Sequence, residues 1–329
     1  MSQFNSGRPD KRKSMERITL ITMPSAGYEL LDSGGEEKLE RFGDVVLARP
    51  DPQALWEKGR GVEWQKAAGR YTRQGKEGVW QFSRSDLLNK TSKSDLLKGW
   101  PIEFGGLKFL IKPTSFKHTG LFPEQESNWQ WMGDVLRQNL FLRRDKHDPN
   151  SSEKVLPPDV LNVFGYTGGA TLVAAKAGAK VTHVDGSKSA VGWARENAKL
   201  SGLEDAPIRW ITEDALTFLK REVSRGTKYD AVVMDPPAFG HGPTGEVWKF
   251  DEHFLELLGL VEKLLSDKPL FVLINGYAAG YSPLAFAYNL ESFVKKFGGS
   301  IEYGDLAIAE SNSDRILPAG IFARWRSGN

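Results

Sequence analysis

The sequence predicts an α/β protein: a doubly wound, mostly parallel sheet closed by an antiparallel C-terminal hairpin, with a small β-rich domain before it. Three observations predict this. From Val160 onward, β-branched runs alternate with helical stretches, the pattern of consecutive βαβ units. Before about Pro113 the chain shows short strand-like runs broken by glycine pairs and no helical period. The last two strand-like runs are joined only by the loop SNSDRILP. A loop cannot make a parallel crossover, so these two strands pair antiparallel.

The elements follow in order. Residues 1–16 are polar and basic without an apolar period, and are expected to form a disordered tail. Residues 17–114 make the β-rich domain, with strands expected at 18–23, 44–50, 78–83 and 107–113. Trp56, Trp64, Trp80 and Trp100 fall in this domain. Core packing accounts for most of them, and exposed platforms for stacking bases are the alternative. The α/β domain spans 115–329. Trp131, Met132, Val135, Leu136 and Leu140 recur at helical spacing over 128–142. A polar, proline-ended connection follows at 147–158. Strands are then expected at 160–164, 180–185, 207–212, 229–235, 269–275, 300–309 and 318–326. The helices between them are expected at 168–178, 187–202, 214–225, 251–266 and 282–298.

Composition bounds the class. A chain of 329 residues with 40% hydrophobic and 26% charged side chains suits one large or two ordinary globular domains. No run of eighteen apolar residues occurs, so no membrane helix is expected, and the N-terminus lacks the apolar region of a secretory signal. A cytoplasmic location is the expectation. The sequence contains no cysteine, which removes disulfides, thiolate metal sites and cysteine nucleophiles together. The five histidines show no ligand spacing, and no metal site is expected. The formal charge of +2 is uneven. Residues 56–117 hold 13 basic and 6 acidic side chains, whereas 151–329 hold 19 basic and 22 acidic ones. A basic stretch beside a near-neutral domain suits either a polyanion contact or a solvated surface. The sequence carries no signal of oligomeric state.

Four motifs carry chemistry. LNVFGYTGGA (161–170) is a strand-to-helix turn in which Gly165, Gly168 and Gly169 let backbone approach a ligand, with helix amides aimed at it. Asp185 ends the second strand, where a carboxylate either accepts from ribose hydroxyls or, like Ser187, caps the next helix. Asp214 ends the third strand. It is a helix cap or, in a nucleoside site, an acceptor for an adenine amine, with the Ala215 N–H donating to the ring. DPPAF (235–239) ends the fourth strand at the sheet's ligand-binding edge. Two prolines stiffen that loop. Asp235 or the Pro236 carbonyl can then accept from an amine while Phe239 stacks on a flat base. The glycine-rich stretch 240–250 is either a lid or a plain loop.

In this order and spacing the motifs resemble class I S-adenosylmethionine-dependent methyltransferases, whose domain is Rossmann-like. More narrowly, KHTGLFPEQ (117–125), NVFGYTGGA, VDGSKSAVGWARENA and DPPAF are similar to the bacterial large-subunit ribosomal RNA methyltransferase family acting on cytosine C5 or guanine N7. The likeness covers about 115–329. That family also has a small β-rich domain, and many members carry an RNA-binding PUA domain that is not expected here. The resemblance implies S-adenosylmethionine as cofactor. It implies that Phe122 and Gln125 line the pocket and that Phe164, Gly165, Tyr166, Thr167 and Gly168 hold the methionine part. Asp185, with Ser187, would hold the ribose, and Asp214 with Ala215 the adenine. Asp235, Pro236 and Phe239 would face the transfer centre. The family reads FLDQR where this chain has FPEQE, so Glu126 stands where an arginine is usual.

Carbon-5 of a pyrimidine becomes nucleophilic only after a thiolate adds at C6. A chain without cysteine cannot follow that route, so transfer to nitrogen is expected, with ribosomal RNA as partner. Asn275 and Tyr277, after the fifth strand, are either substrate-reading or loop structure. The competing readings are a methyltransferase for a protein or small molecule, a nicotinamide dehydrogenase and a non-catalytic cofactor-binding protein.

Overall fold

The computed structural model describes residues 15–62, 64–74, 77–82, 93–145, 155–277 and 280–328. Residues 1–14 of the tail expected over 1–16, most of the connection expected over 147–158, and Lys76, Arg84 and Lys90 of the basic stretch lie outside the described residues. Met15 and Glu16, expected in the tail, instead open the first strand, β1 (Met15–Thr22). β1 does not join the β-rich unit. It runs parallel to a strand near the C-terminus, Met15 opposite Ile301 and Thr22 opposite Ile308.

The β-rich unit is a five-stranded sheet of β2 (Tyr28–Gly34), β3 (Glu37–Phe42), β4 (Val45–Pro50), β5 (Gly69–Gln74) and β6 (Glu77–Phe82), in that order. Gly35 (φ 58°) and Gly43 (φ 61°) make the two tight reversals at β2–β3 and β3–β4. Glu40 and Arg49 point inward, unusual for charged residues. Arg49 Nε and Nη2 donate to the two Glu40 oxygens at 2.6 and 2.8 Å, and Tyr28 Oη donates to Oε1 at 2.8 Å. Burial alone would raise the Glu40 carboxyl, but Arg49 and Lys38 overrule it and hold it at about 2. None of the four tryptophans is an exposed platform. Their indole N–H groups donate to Ser33 O, Asp32 Oδ2, Thr114 O and Phe42 O respectively. Helix α1 (Lys93–Lys98) and a hairpin, β7 (Trp100–Phe104) with β8 (Leu107–Ile111), lead into α2 (Glu126–Asp145).

The remaining chain alternates as expected: β9 (Asp159–Val163), α3 (Gly169–Lys176), β10 (Lys180–Asp185), α4 (Lys188–Leu200), β11 (Ile208–Thr212), α5 (Ala215–Ser224) and β12 (Ala231–Met234). A short hairpin, β13 (Phe239–His241) and β14 (Val247–Lys249), precedes α6 (Phe250–Leu264) and β15 (Phe271–Gly276). The single helix expected over 282–298 is two, α7 (Pro283–Asn289) and α8 (Glu291–Phe297), meeting at the buried Leu290. β16 (Ser300–Ala309) and β17 (Ile316–Arg326) form the antiparallel hairpin.

Together these make a Rossmann-like, eight-stranded sheet in the order β1-β16-β17-β15-β12-β9-β10-β11. It is parallel except where β17 meets β15 and β16. Strands β12 and β15 are buried throughout and read as continuous apolar runs, as parallel strands covered on both faces do. Successive residues feed opposite cores: Val160 packs into one cluster, Leu161 and Val163 into the other. Strand order reverses direction between β9 and β12, which opens a crevice at their carboxyl ends. The tip of the β16–β17 hairpin clasps the β-rich unit. Arg315 donates to Asp32 Oδ1 at 2.9 Å, Glu310 Oε2 at 3.0 Å and Glu57 O at 2.9 Å. No helix among the described residues is long and apolar enough to cross a membrane.

Candidate active site

The turn between β9 and α3 is held in an uncommon backbone conformation. Phe164 (φ 58°) and Tyr166 (φ 47°) are left-handed although neither is glycine. Each is anchored: the Phe164 ring lies 4.9 Å from Trp248, and the Tyr166 N–H donates to Asp185 Oδ2 at 2.9 Å. Between them, a Cβ on Gly165 would sit 2.5 Å from the buried His183 ring, so only glycine fits. Burial drives His183 down to about 3, keeping it neutral. Gly168 (φ 90°) turns the chain into α3 as its N-cap and faces neither cavity described below. Thr167 donates to Gly120 O at 2.6 Å and thereby fastens the segment before α2 to this turn.

Asp185 ends β10. Its Oδ2 holds Tyr166 and its Oδ1 accepts from Ser187 N at 2.8 Å. Burial raises its carboxyl, against the lowering effect of these two N–H groups. Ser187, not Asp185, caps α4, accepting from Ala190 N at 3.2 Å. Asp214 caps α5 through Thr217 N at 2.8 Å and also lines the main cavity, so cap and wall coincide in one side chain. Ala215 begins that helix, and its N–H is among the first-turn amides that no intrahelical carbonyl can satisfy. The β13–β14 hairpin lies over this end. A Cβ on Gly186 would meet His241 O at 3.1 Å, and one on Gly242 would meet Asp214 Cβ at 3.0 Å.

Asp235 follows β12. Its Oδ1 is shut from solvent without a hydrogen-bond partner among the described residues, and burial, then the charge of Glu124, pushes its carboxyl up to about 7. Pro236 is buried and lines neither cavity, while Pro237 and Ala238 form the wall. Phe239 is 55% exposed on β13, edge-on to His241 at 5.0 Å, and is likewise outside the lining. Trp248 Nε1 donates to Pro237 O at 2.6 Å and fixes the loop. Pro123 and Glu124, of the turn Pro123–Gln125, line the same cavity. Phe122 packs on Tyr277 (5.1 Å) and Tyr166 (5.5 Å), and Gln125 Nε2 donates to Tyr277 Oη at 2.6 Å. Asn275 is buried and accepts from Asn128 at 3.0 Å, a structural bond.

These residues enclose a cavity of about 750 Å³, within the range of small-molecule sites, with a side chamber of about 50 Å³ under Phe164, Gly165 and Tyr166. Seven carboxylic side chains line the main cavity against three basic ones, a balance suited to a cation. The three basic residues, Lys38, Arg49 and Lys117, come from β3, β4 and the segment before α2. Glu124 was not singled out in the sequence. It is 5% exposed, lines the cavity, and burial raises it to about 7. Its signal was its place in FPEQE, where the resembling family's FLDQR also carries an acid.

The chain was compared with known proteins. The family model for Conserved hypothetical protein 95 matches residues 117–244. A solved structure, the SAM-dependent methyltransferase from Agrobacterium tumefaciens, is 37% identical with a TM-score of 0.81, covering 94% of this chain and 95% of that one. Ribosomal RNA large subunit methyltransferase K/L of Shewanella frigidimarina is 31% identical over 237 residues, which is 71% of this chain and 28% of that protein. Ribosomal RNA large subunit methyltransferase I of Aeromonas salmonicida is 34% identical over 139 residues, 42% of this chain and 30% of that protein. The chain thus spans less than a third of the curated relatives it matches.

Proposed function

This chain belongs to the S-adenosylmethionine-dependent methyltransferases, and from that premise we propose that it methylates a nitrogen of a base in ribosomal RNA. Its cofactor is S-adenosylmethionine, which supplies an electrophilic methyl group on a sulfonium. The residues present fit that molecule. The excess of carboxylates lining the cavity suits its positive charge. Asp185 and Ser187 would hold the ribose, Asp214 and the Ala215 N–H the adenine. Phe164, Gly165, Tyr166 and Thr167 would border the methionine end together with Phe122 and Gln125.

The chain's own work is positioning. Phe164 and Tyr166, locked by Trp248 and Asp185, keep the turn rigid. Alignment of this kind accounts for up to ~7–11 kcal/mol of a two-reactant barrier. The observation that carries the nitrogen acceptor is Asp235, a half-buried carboxyl that lines the cavity on a proline-stiffened loop. A carboxyl oxygen there accepts from an amine. The lack of any cysteine in the chain closes the thiolate route to carbon-5. The relatives' names support ribosomal RNA as the acceptor.

The test is transfer of labelled methyl from S-adenosylmethionine to ribosomal RNA taken from cells lacking this gene, followed by nucleoside mass spectrometry. An N-methyl nucleoside is expected. Label confined to protein or small molecules, or a C5-methyl pyrimidine, would overturn the reading.

A further inference from the structure

One part of the cavity wall differs in charge from the rest. The β-rich unit and the segment between β8 and α2 supply it, through Lys38, Arg49, Lys117 and His118. That segment is fastened to the β-rich unit. Tyr71 Oη donates to Ser115 O at 2.7 Å, Trp80 Nε1 to Thr114 O at 2.8 Å, and Arg49 Nη1 to Lys117 O at 3.1 Å. Lys117 itself is left-handed (φ 65°), a conformation that a lysine keeps only where its surroundings over-determine it.

The Lys117 charge is unanswered. Lys38 is paired with Asp51 at 3.1 Å and Arg49 with Glu40 at 2.6 Å, but Lys117 has no ion pair among the described residues. Its ammonium donates to Pro50 O at 3.3 Å, which leaves two of its three hydrogens. Arg49, 6% exposed, uses three of its five N–H donors, two on Glu40 and one on Lys117 O. Burial, then the charge of Lys38, holds the Lys117 ammonium below its usual range, the direction expected of a cation that lacks an anion. His118 adds no charge, since burial and then Arg49 lower it to about 4. Two cations, each with two spare donors, suit a phosphate, whose oxygens accept several bonds at once.

We propose that Lys117 and Arg49 form a phosphate subsite that holds the backbone phosphate of the nucleotide whose base enters the cavity. This rests on the ribosomal RNA reading above and names how the acceptor is held apart from its base. S-adenosylmethionine has no phosphate, so the subsite belongs to the acceptor. The β-rich unit thereby becomes half of the acceptor site.

The test uses the full chain saturated with S-adenosylhomocysteine. NMR titration, which reads weak affinities, compares the four ribonucleosides with their 3′- and 5′-monophosphates. At least one monophosphate is expected to bind about fivefold or more tighter than its nucleoside. Lys117→Gln should bring that margin below about twofold, and Lys117→Arg should keep it. Lys112→Gln is the control. Lys112 is paired with Glu196 at 2.7 Å and does not line the cavity, so its loss should leave the margin intact. Circular dichroism confirms the fold of each variant. No margin with any base, or an equal loss in Lys112→Gln, overturns the subsite. Inorganic phosphate that competes as strongly as the nucleotide would make the ligand a free anion and overturn the assignment to the acceptor. Weaker S-adenosylhomocysteine binding in Lys117→Gln, with no nucleotide margin, would give the cation to the cofactor carboxylate and overturn it as well. A margin lost in Lys117→Gln without RNA methylation upholds the subsite and places the failure on the function reading.

Discussion

The two sides of the cavity are built differently. On the sheet side, Asp185, Asp214 and Asp235 stand at the ends of β10, β11 and β12, and the first two are oriented by backbone N–H groups at 2.8–2.9 Å. On the β-rich side, Lys38 and Arg49 stand on strands whose charges are matched by Asp51 and Glu40. Lys117 donates only to the Pro50 carbonyl, at 3.3 Å, among the described residues. Acidic groups set by backbone make a floor with fixed geometry and spare acceptor capacity. Basic groups set by ion pairs make a wall with one cation left over. The contrast teaches that a strand end can fix a functional charge without a counter-ion, whereas a side chain within a sheet needs a partner to be there at all.

That contrast can be broken in order of effect. Asp235→Ala should lower methyl transfer by about 10³-fold, the scale of losing an electrostatic or acid–base contact, while cofactor affinity from calorimetry stays within a few-fold. Equal losses in both would make Asp235 a general part of the binding site. Glu40→Gln should cost about 3 kcal/mol in denaturant unfolding, because Arg49 is left buried without its charge partner. The pH sign is definite. Glu40 sits at about 2 in the fold against an ordinary 4.5, so its contribution is complete above 4.5 and is lost as pH falls towards 2. The acid limb of stability should therefore flatten in the variant over that window. Asp185→Ala removes the acceptor of two backbone N–H groups as well as the proposed ribose contact. Charge-assisted bonds contribute about 1.5–3 kcal/mol each, so the dissociation constant for S-adenosylmethionine should rise about 100-fold. An unchanged constant would detach the sheet side from the cofactor. The smallest effect is at the wall. Lys117→Gln should weaken RNA binding a few-fold and lower the salt slope by about one. An unaltered slope would take the wall out of any phosphate contact.

The sheet was legible because parallel strands covered on both faces must be apolar. FVLING and AVVM announce themselves, and their helices follow at regular spacing. The β-rich unit was only partly legible. β2, β3, β5 and β7 went unread because their pattern depends on partners far away in sequence. Glu40 in a strand interior looks like a surface residue until Arg49 is placed beside it. β1 reads as a strand, but nothing local tells which of two sheets it joins. Within the site, Gly165, Asp185, Asp214 and Asp235 fall at strand ends, where position follows from topology; the three aspartates line the main cavity and Gly165 its side chamber. Pro236 and Phe239 turn aside from it because the Pro237 carbonyl is drawn to Trp248 and the chain continues into β13. Glu124 depended on a packing environment, burial in the cavity wall, that no local pattern encodes.

β1 lies along β16, with Leu20 opposite Leu306. The consequence is one of timing. β1 can take its place only after β16, which lies beyond all the intervening βα units, has emerged from the ribosome. Closing so large a loop is slow relative to forming adjacent βα units. The middle of the sheet is therefore expected to assemble first, leaving β1 as the strand whose docking completes the molecule.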